Sequence, residues 1–319
     1  MNDMISRREL LVSAASIAAA LALPAVAGCG RPAPAGDNRA GPPPGAAVRN
    51  DDVARLTQWT ATLRNEGLSA KTVAVGKSAT RAGELAVGTP YEPFTLEAYL
   101  KAGGDPSARE PLVLSLTRFD CVTLVESSLA VARVADDRGA VSWERFGREV
   151  ERMRYRNGTR GGYSSRLHYF SEWIADGEKR GLVRNIAREL GGIEDRRPLR
   201  FMTEHRGSYP ALRDETVLAE IGRMERGLDD EPRVMIPADG IAAVADRIAT
   251  GDVLGFATAI SGLDVTHSAF AYRGADGVLK VLHAPLSGGT VEITRTTLPE
   301  YVGAIRRATG ILVARPLRG

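Results

Sequence analysis

From Asp51 onward the chain is written in two periods. Val53, Leu56, Trp59 and Leu63 recur every three or four positions, which places them on one face of a helix. The spacing returns at Val122, Val125, Leu129 and Ala132, with Leu124 beside them, and predicts a helix of about four turns. The short apolar run "EPLVLSL" (110–116) leads into it. "VSWERFGREVERMRYR" (141–156) predicts another amphipathic helix, and helical stretches fall around 171–190 and 213–226. The remainder of 157–230 is rich in Gly, Arg and polar residues and is expected to hold long substrate-facing loops.

Beyond about residue 230 the period changes from helical to two. "DVLGFATA", "THSAFAYR", "VLKVLHA" and "TVEITR" are separated by turn signals such as "GADG" and "SGG", which predicts an antiparallel sheet. A helix near Pro299–Ala308 and a last strand, "GILVARPL", complete an α+β chain without internal repeats.

The first fifty residues follow neither period. Arg7 and Arg8 precede an Ala/Leu run from Leu10 to Ala27 and then "VAGC", ending at Cys29. A charged start, an apolar middle and small residues before a cut site describe a secretory signal. The paired arginines resemble a twin-arginine signal in part, and "VAGC" resembles a lipobox in which Cys29 is lipidated; a simple signal peptide cut near Ala27 or an uncleaved membrane anchor is the alternative. Residues 30–50 are rich in Pro, Gly and Ala and cannot bury enough surface to offset their ordering entropy, so they read as a tether. The expected organisation is a signal peptide with lipobox over 1–29, a tether over 30–50 and one catalytic domain over 51–319. It implies an exported protein, anchored to a membrane by lipid.

Composition narrows the function. Hydrophobic residues make up 44% and charged residues 25%, a globular profile. Of the net charge of +3, residues 1–50 supply two charges, with five arginines against three acids. The body is nearly neutral and its arginines are scattered, which argues against a nucleic-acid partner.

With Cys29 lipidated, Cys121 is the one cysteine of the mature chain. It has no partner for an intramolecular disulfide, so it is either inert packing or kept for chemistry. Asp120 is a good N-cap, placing Cys121 in the first helical turn, where the helix dipole favours a thiolate. The chain has four histidines: His168, His205, His267 and His283. Two lie on neighbouring predicted strands joined by "YRGADGVL". A three-residue loop Ala275–Gly277, with the glycine left-handed, pairs 274 with 278. His267 and His283 then form a diagonal pair on one face, whereas a two-residue Asp-Gly loop would separate them. A thiol, an imidazole base (His267) and a group orienting it (His283) are the parts of a cysteine hydrolase.

The segments "FDCVTLVE", "RYRNG", "YSSRLHYFSEWI", "FMTEH", "GDVL", "GLDVTH" and "LHA" occur in that order. Together they resemble the exported N-acetylmuramoyl-L-alanine amidase-like proteins, a branch of the NlpC-type, papain-like cell-wall hydrolases, over roughly residues 80 to 315. The resemblance implies a papain-like core, with Cys121 as nucleophile, His267 as base and His283 as third member. It implies hydrolysis of the amide joining the lactyl group of N-acetylmuramic acid to L-alanine, with no cofactor. The sequence departs from the family at Pro285 and Leu286, where small polar residues are more usual.

Tyr155, Tyr163, Arg166 and His168 are candidate substrate contacts. Arginine suits a carboxylate-bearing stem peptide, and tyrosine suits a sugar face. A basic loop pinned to the core by its tyrosines is the alternative, and Arg154 and Arg156 fit that better. Asp264 reads as a turn residue. A zinc amidase using His168, His267 and His283 lacks any His-Glu-x-x-His spacing and leaves Cys121 unexplained. Endopeptidase, acyltransferase and non-catalytic peptidoglycan-binding functions remain open on the same residues.

Overall fold

The computed structural model describes residues 50–136, 139–285 and 289–318. The signal, Cys29, the tether before Asn50 and Leu286 lie outside the described residues.

Helices α1 (Asn50–Asn65) and α2 (Val75–Leu85) come first, followed by α3 (Cys121–Asp136) and α4 (Trp143–Arg154). Next are α5 (Phe170–Lys179), β1 (Val183–Asn185), β2 (Ile193–Asp195), α6 (Glu215–Gly227) and β3 (Arg233–Pro237). Strands β4 (Val253–Thr258), β5 (Val265–Arg273), β6 (Leu279–His283) and β7 (Glu292–Ile293) follow. Helix α7 (Leu298–Ala304) and strand β8 (Ala308–Pro316) end the chain, and single-turn helices are left unlabelled. The strands are ordered β2-β3-β8-β4-β5-β6-β7, with β1 also on β8, and every pairing is antiparallel.

Strand β4 is buried at every position because the sheet is covered on both faces. On one face Val253, Val265, Phe270 and Leu282 pack with Leu124, Val125 and Leu129 of α3 and with α1 and α2. On the other, Leu254, Phe256, Ala269 and Val281 pack with Leu298 and Val302 of α7. This double covering leaves "DVLGFATA" buried on both sides from Val253 to Thr258, so it departs from the period-two alternation expected of it. Gly255 is needed there: a Cβ would stand 2.9 Å from the Phe170 ring, which seats the start of α5 on the sheet.

Three expectations change. The helix expected over 171–190 ends at Lys179, because Gly181 turns left-handed at φ 70°. Leu182 N–H then bonds the Gly177 carbonyl at 2.8 Å, closing the helix as a Schellman motif, and the chain leaves as β1. The helix expected over 299–308 ends at Ala304, so that β8 can begin at Ala308. The middle of the chain is no set of open loops: Tyr163, Tyr169, Phe201, Tyr209, Leu212 and Ile221 form an apolar cluster of their own.

The β5–β6 hairpin has the expected register. Arg273 faces Leu279 and Phe270 faces Leu282, and Gly277 has φ 69°. Paired numbers sum to 552, so His267 and His283 are diagonal neighbours on one face.

Candidate active site

Asp120 builds the start of α3. Its Oδ1 accepts the Thr123 N–H at 2.7 Å, while Thr123 Oγ1 accepts the Asp120 N–H at 2.8 Å. This reciprocal pair is a capping box with threonine in the place of the usual glutamate. It makes Cys121 the first residue of the helix, buried at 2% exposure and in no disulfide. Burial pushes the Asp120 carboxyl up, and the Thr123 hydrogen bonds pull against it. The segment before α3 is tied to the sheet edge. Phe119 N–H bonds the Pro90 carbonyl at 3.1 Å, and Val291 N–H bonds the Thr89 carbonyl at 2.8 Å. One strap, Thr89–Glu92, thus links the turn before Cys121 to the segment that follows β6 and His283.

His267 and His283 are in contact, Nε2 to Nδ1, at 2.8 Å. Their rings meet edge to face, with centroids 5.0 Å apart. Phe256 stacks on His267 at 5.6 Å and 10°. Tyr301, on α7, brings its hydroxyl to 3.3 Å from His283 Nδ1. Burial raises the Tyr301 hydroxyl's pKa, and the charges of Glu292 and of an ionised Cys121 act in the same direction. Burial pushes His267 well below the usual imidazole range, and His283 pushes the same way. His267 is therefore neutral at pH 7, the state a base requires. The sequence pattern did not single out Tyr301, Phe256 or Glu292.

The four candidate substrate contacts lie inward. Tyr155 and Tyr163 are each 1% exposed, and Arg166 and His168 each 6%. Arg166 pairs with Glu97 at 2.7 Å and Glu110 at 3.0 Å, and its guanidinium lies 4.9 Å over the Tyr163 ring. His168 donates from Nε2 to the Tyr163 carbonyl at 2.8 Å and packs on that ring. Burial pushes His168 well below the usual imidazole range, helped by Arg166. Arg154 forms a buried pair with Glu126 of α3 at 2.7 Å, and Arg156 pairs with Glu172 at 2.6 Å, so both are structural, held in ion pairs and not in a solvated loop. Arg166 and His168 still line a cavity of about 30 Å³ shared with Asp120 and Val122, so this cluster backs the start of α3.

Asp264 is structural too. Its carboxylate accepts the Ser171 and Val265 N–H groups, each at 2.7 Å, joining the start of α5 to β5. His205 stacks on Phe201 and bonds that residue's carbonyl. Among the described residues no group of three His, Cys, Asp or Glu is placed to hold a metal ion. None of the described helices is long and apolar enough to cross a membrane.

An antiparallel sheet covered by helices, with two touching histidines on neighbouring strands and a cysteine at the start of a helix, defines an α+β protein. The chain belongs to the AmiA-like family of N-acetylmuramoyl-L-alanine amidase-like proteins, whose sequence profile matches residues 81–311. An N-acetylmuramoyl-L-alanine amidase from Bacteroides uniformis ATCC 8492 is similar over 76% of this chain and 98% of its own, at 27% identity and TM-score 0.68. A Bacteroides fragilis protein described provisionally as a xylanase matches 73% of this chain and 99% of its own, at 30% identity and TM-score 0.67. A Legionella pneumophila protein with 19% identity and TM-score 0.56 shares the fold over 83% of this chain and 97% of its own. No protein of curated function matches the chain. Family membership supports an enzyme that acts on peptidoglycan.

Proposed function

We propose that the protein hydrolyses the amide between the lactyl group of N-acetylmuramic acid and L-alanine, with Cys121 as nucleophile on a papain-like, NlpC-type core. The observation that carries this reading is the 2.8 Å contact of His267 with His283, with Cys121 as the first residue of α3. His267 takes the thiol proton, and the sulfur attacks the lactyl carbonyl. The imidazolium then protonates the departing L-alanine amine, leaving a thioester on Cys121. Water, deprotonated by His267, attacks the thioester and releases the muramic acid carboxylate. His283 accepts the Nε2 proton of His267 throughout and fixes its ring, the part a third polar group plays in a triad.

A glycosidase reading is weaker on physical grounds. Glycoside hydrolysis needs two carboxyl groups flanking the scissile bond, whereas the groups packed on His267 are imidazole and phenyl rings. A zinc amidase would need His168 beside the other two histidines, and His168 instead binds Tyr163. For Arg166 and His168 we assign the floor of a subsite beside Asp120, with Tyr155 and Tyr163 packed beneath it. We also infer that the chain is exported and held at a membrane through lipidated Cys29, which matches a cell-wall substrate.

Mass spectrometry of defined muropeptides incubated with the wild type and with Cys121→Ser tests this reading. Release of the whole stem peptide by the wild type alone supports the amidase. Cleavage inside the stem makes the protein an endopeptidase, and transfer to an added amine makes it an acyltransferase.

A further inference from the structure

A carboxylate stands behind His283. Glu292 on β7 is its ladder partner across the sheet, so both side chains leave on one face. Glu292 Oε1 lies 3.6 Å from His283 Nε2. His283 is 0% exposed, and its Nε2 has no partner at hydrogen-bonding distance, so this carboxylate is the acceptor at hand.

The other nitrogen is in contact with two groups. Nδ1 of His283 meets His267 Nε2 at 2.8 Å and the Tyr301 hydroxyl at 3.3 Å. Both neighbours can donate to Nδ1, and the carboxylate facing Nε2 can only accept, so the tautomer that suits all three carries the His283 proton on Nε2. In the opposite tautomer a bare Nε2 lone pair would face a carboxylate, and the tyrosine hydroxyl would lose its acceptor.

We propose that Glu292 is a positioning residue that accepts the Nε2 proton of His283 and so fixes the tautomers of both histidines. The inference rests on the reading of Cys121 and His267 as nucleophile and base. With Nε2–H of His267 turned towards His283, its Nδ1 keeps the lone pair that takes the thiol proton. When His267 becomes cationic, the negative charge on Glu292 is relayed to it through a polarised imidazole. The His283 contact, ahead of opposing burial and of Arg295, holds the Glu292 carboxyl below its usual range, so the carboxylate is charged at neutral pH. Its side chain is 48% exposed, so water screens the effect and keeps it moderate.

Glu292→Ala removes acceptor and charge, and Glu292→Gln removes the charge but leaves an amide oxygen. The ionisable groups that bear on His283 are His267 from β5, Glu292 from β7 and Tyr301 from α7, with Arg295 acting on Glu292 and Cys121 on Tyr301. The expected result for Glu292→Ala is a fall in kcat of about 10-fold with KM little changed. The pH profile of Cys121 alkylation by iodoacetamide moves upward by about half a unit or more. Glu292→Gln recovers most of kcat, and added formate partly rescues Glu292→Ala. Wild-type kcat and an unmoved alkylation profile in Glu292→Ala overturn the proposal. So does a loss of activity with no profile shift and no formate rescue, which would be structural damage. Cys121→Ala separates the two levels. If it stays active, the nucleophile reading itself fails; if it is dead while Glu292→Ala is unaffected, only this inference fails.

Discussion

His267 and His283 touch at 2.8 Å although they are not opposite each other in the ladder. Residue 283 sits across from residue 269 in the register of the hairpin, and the ring contact is made along the diagonal. A diagonal contact depends on the register of the whole hairpin, so the X-Asp-Gly turn at its tip is part of the site's design. His283→Asn should keep the fold yet lower kcat by about 10²-fold or more, with KM little changed. Steady-state kinetics on a muropeptide, beside an unfolding curve, check this.

Asp120 is predicted to act first on stability. Asp120→Ala deletes the acceptor for the Thr123 N–H and should cost about 1–2 kcal/mol in urea unfolding, while Asp120→Asn, which retains an acceptor, costs less. Equal losses for both would mean that the cap is not what the carboxylate supplies.

The buried pair Arg154–Glu126 fastens α4 to α3. Glu126→Gln strands a guanidinium at 3% exposure and should cost about 3–5 kcal/mol. Replacing both partners, as Glu126→Leu with Arg154→Met, should recover much of that loss, because the pair repays its own desolvation only in part. Urea denaturation of the single and double variants measures it.

Buried neutral histidines make the fold sensitive to acid. His168 and His267 are pushed well below the usual imidazole range by burial. Below pH ~6.5 the unfolded chain therefore binds protons that the folded one refuses, and stability falls with falling pH. The contribution of His168 is fully present above pH ~6.5 and is lost at up to about 1.4 kcal/mol per pH unit below it. His168→Asn should show a shallower decline between pH 6.5 and 5.5 than the wild type. Parallel declines would contradict the burial argument.

The sequence carried the parts of the site that local rules determine. Asp120 and the helical spacing of Val122, Val125 and Leu129 located the start of α3, and the turn chemistry at Gly277 set the register that joins the histidines. Tyr301 and Glu292 follow a long connection after His283, and no local rule fixes where such a connection returns. Arg166 read as facing outward because its partners, Glu97 and Glu110, lie more than fifty residues upstream, and Tyr163 and His168 are buried beside it. Strands β1 and β2 are three residues each, too short to show alternation, and exist through pairing with β8 and β3.

The claim that Cys121 does the chemistry is tested most directly by cleavage of a defined N-acetylmuramoyl-L-alanine peptide. The wild type, Cys121→Ala, enzyme alkylated with iodoacetamide and mapped to Cys121, and enzyme treated with EDTA are compared side by side. The account predicts that the variant and the alkylated enzyme lose at least about 10³-fold in rate while EDTA changes nothing. Cleavage that survives the loss of the thiol, or that EDTA abolishes and added zinc restores, would contradict it.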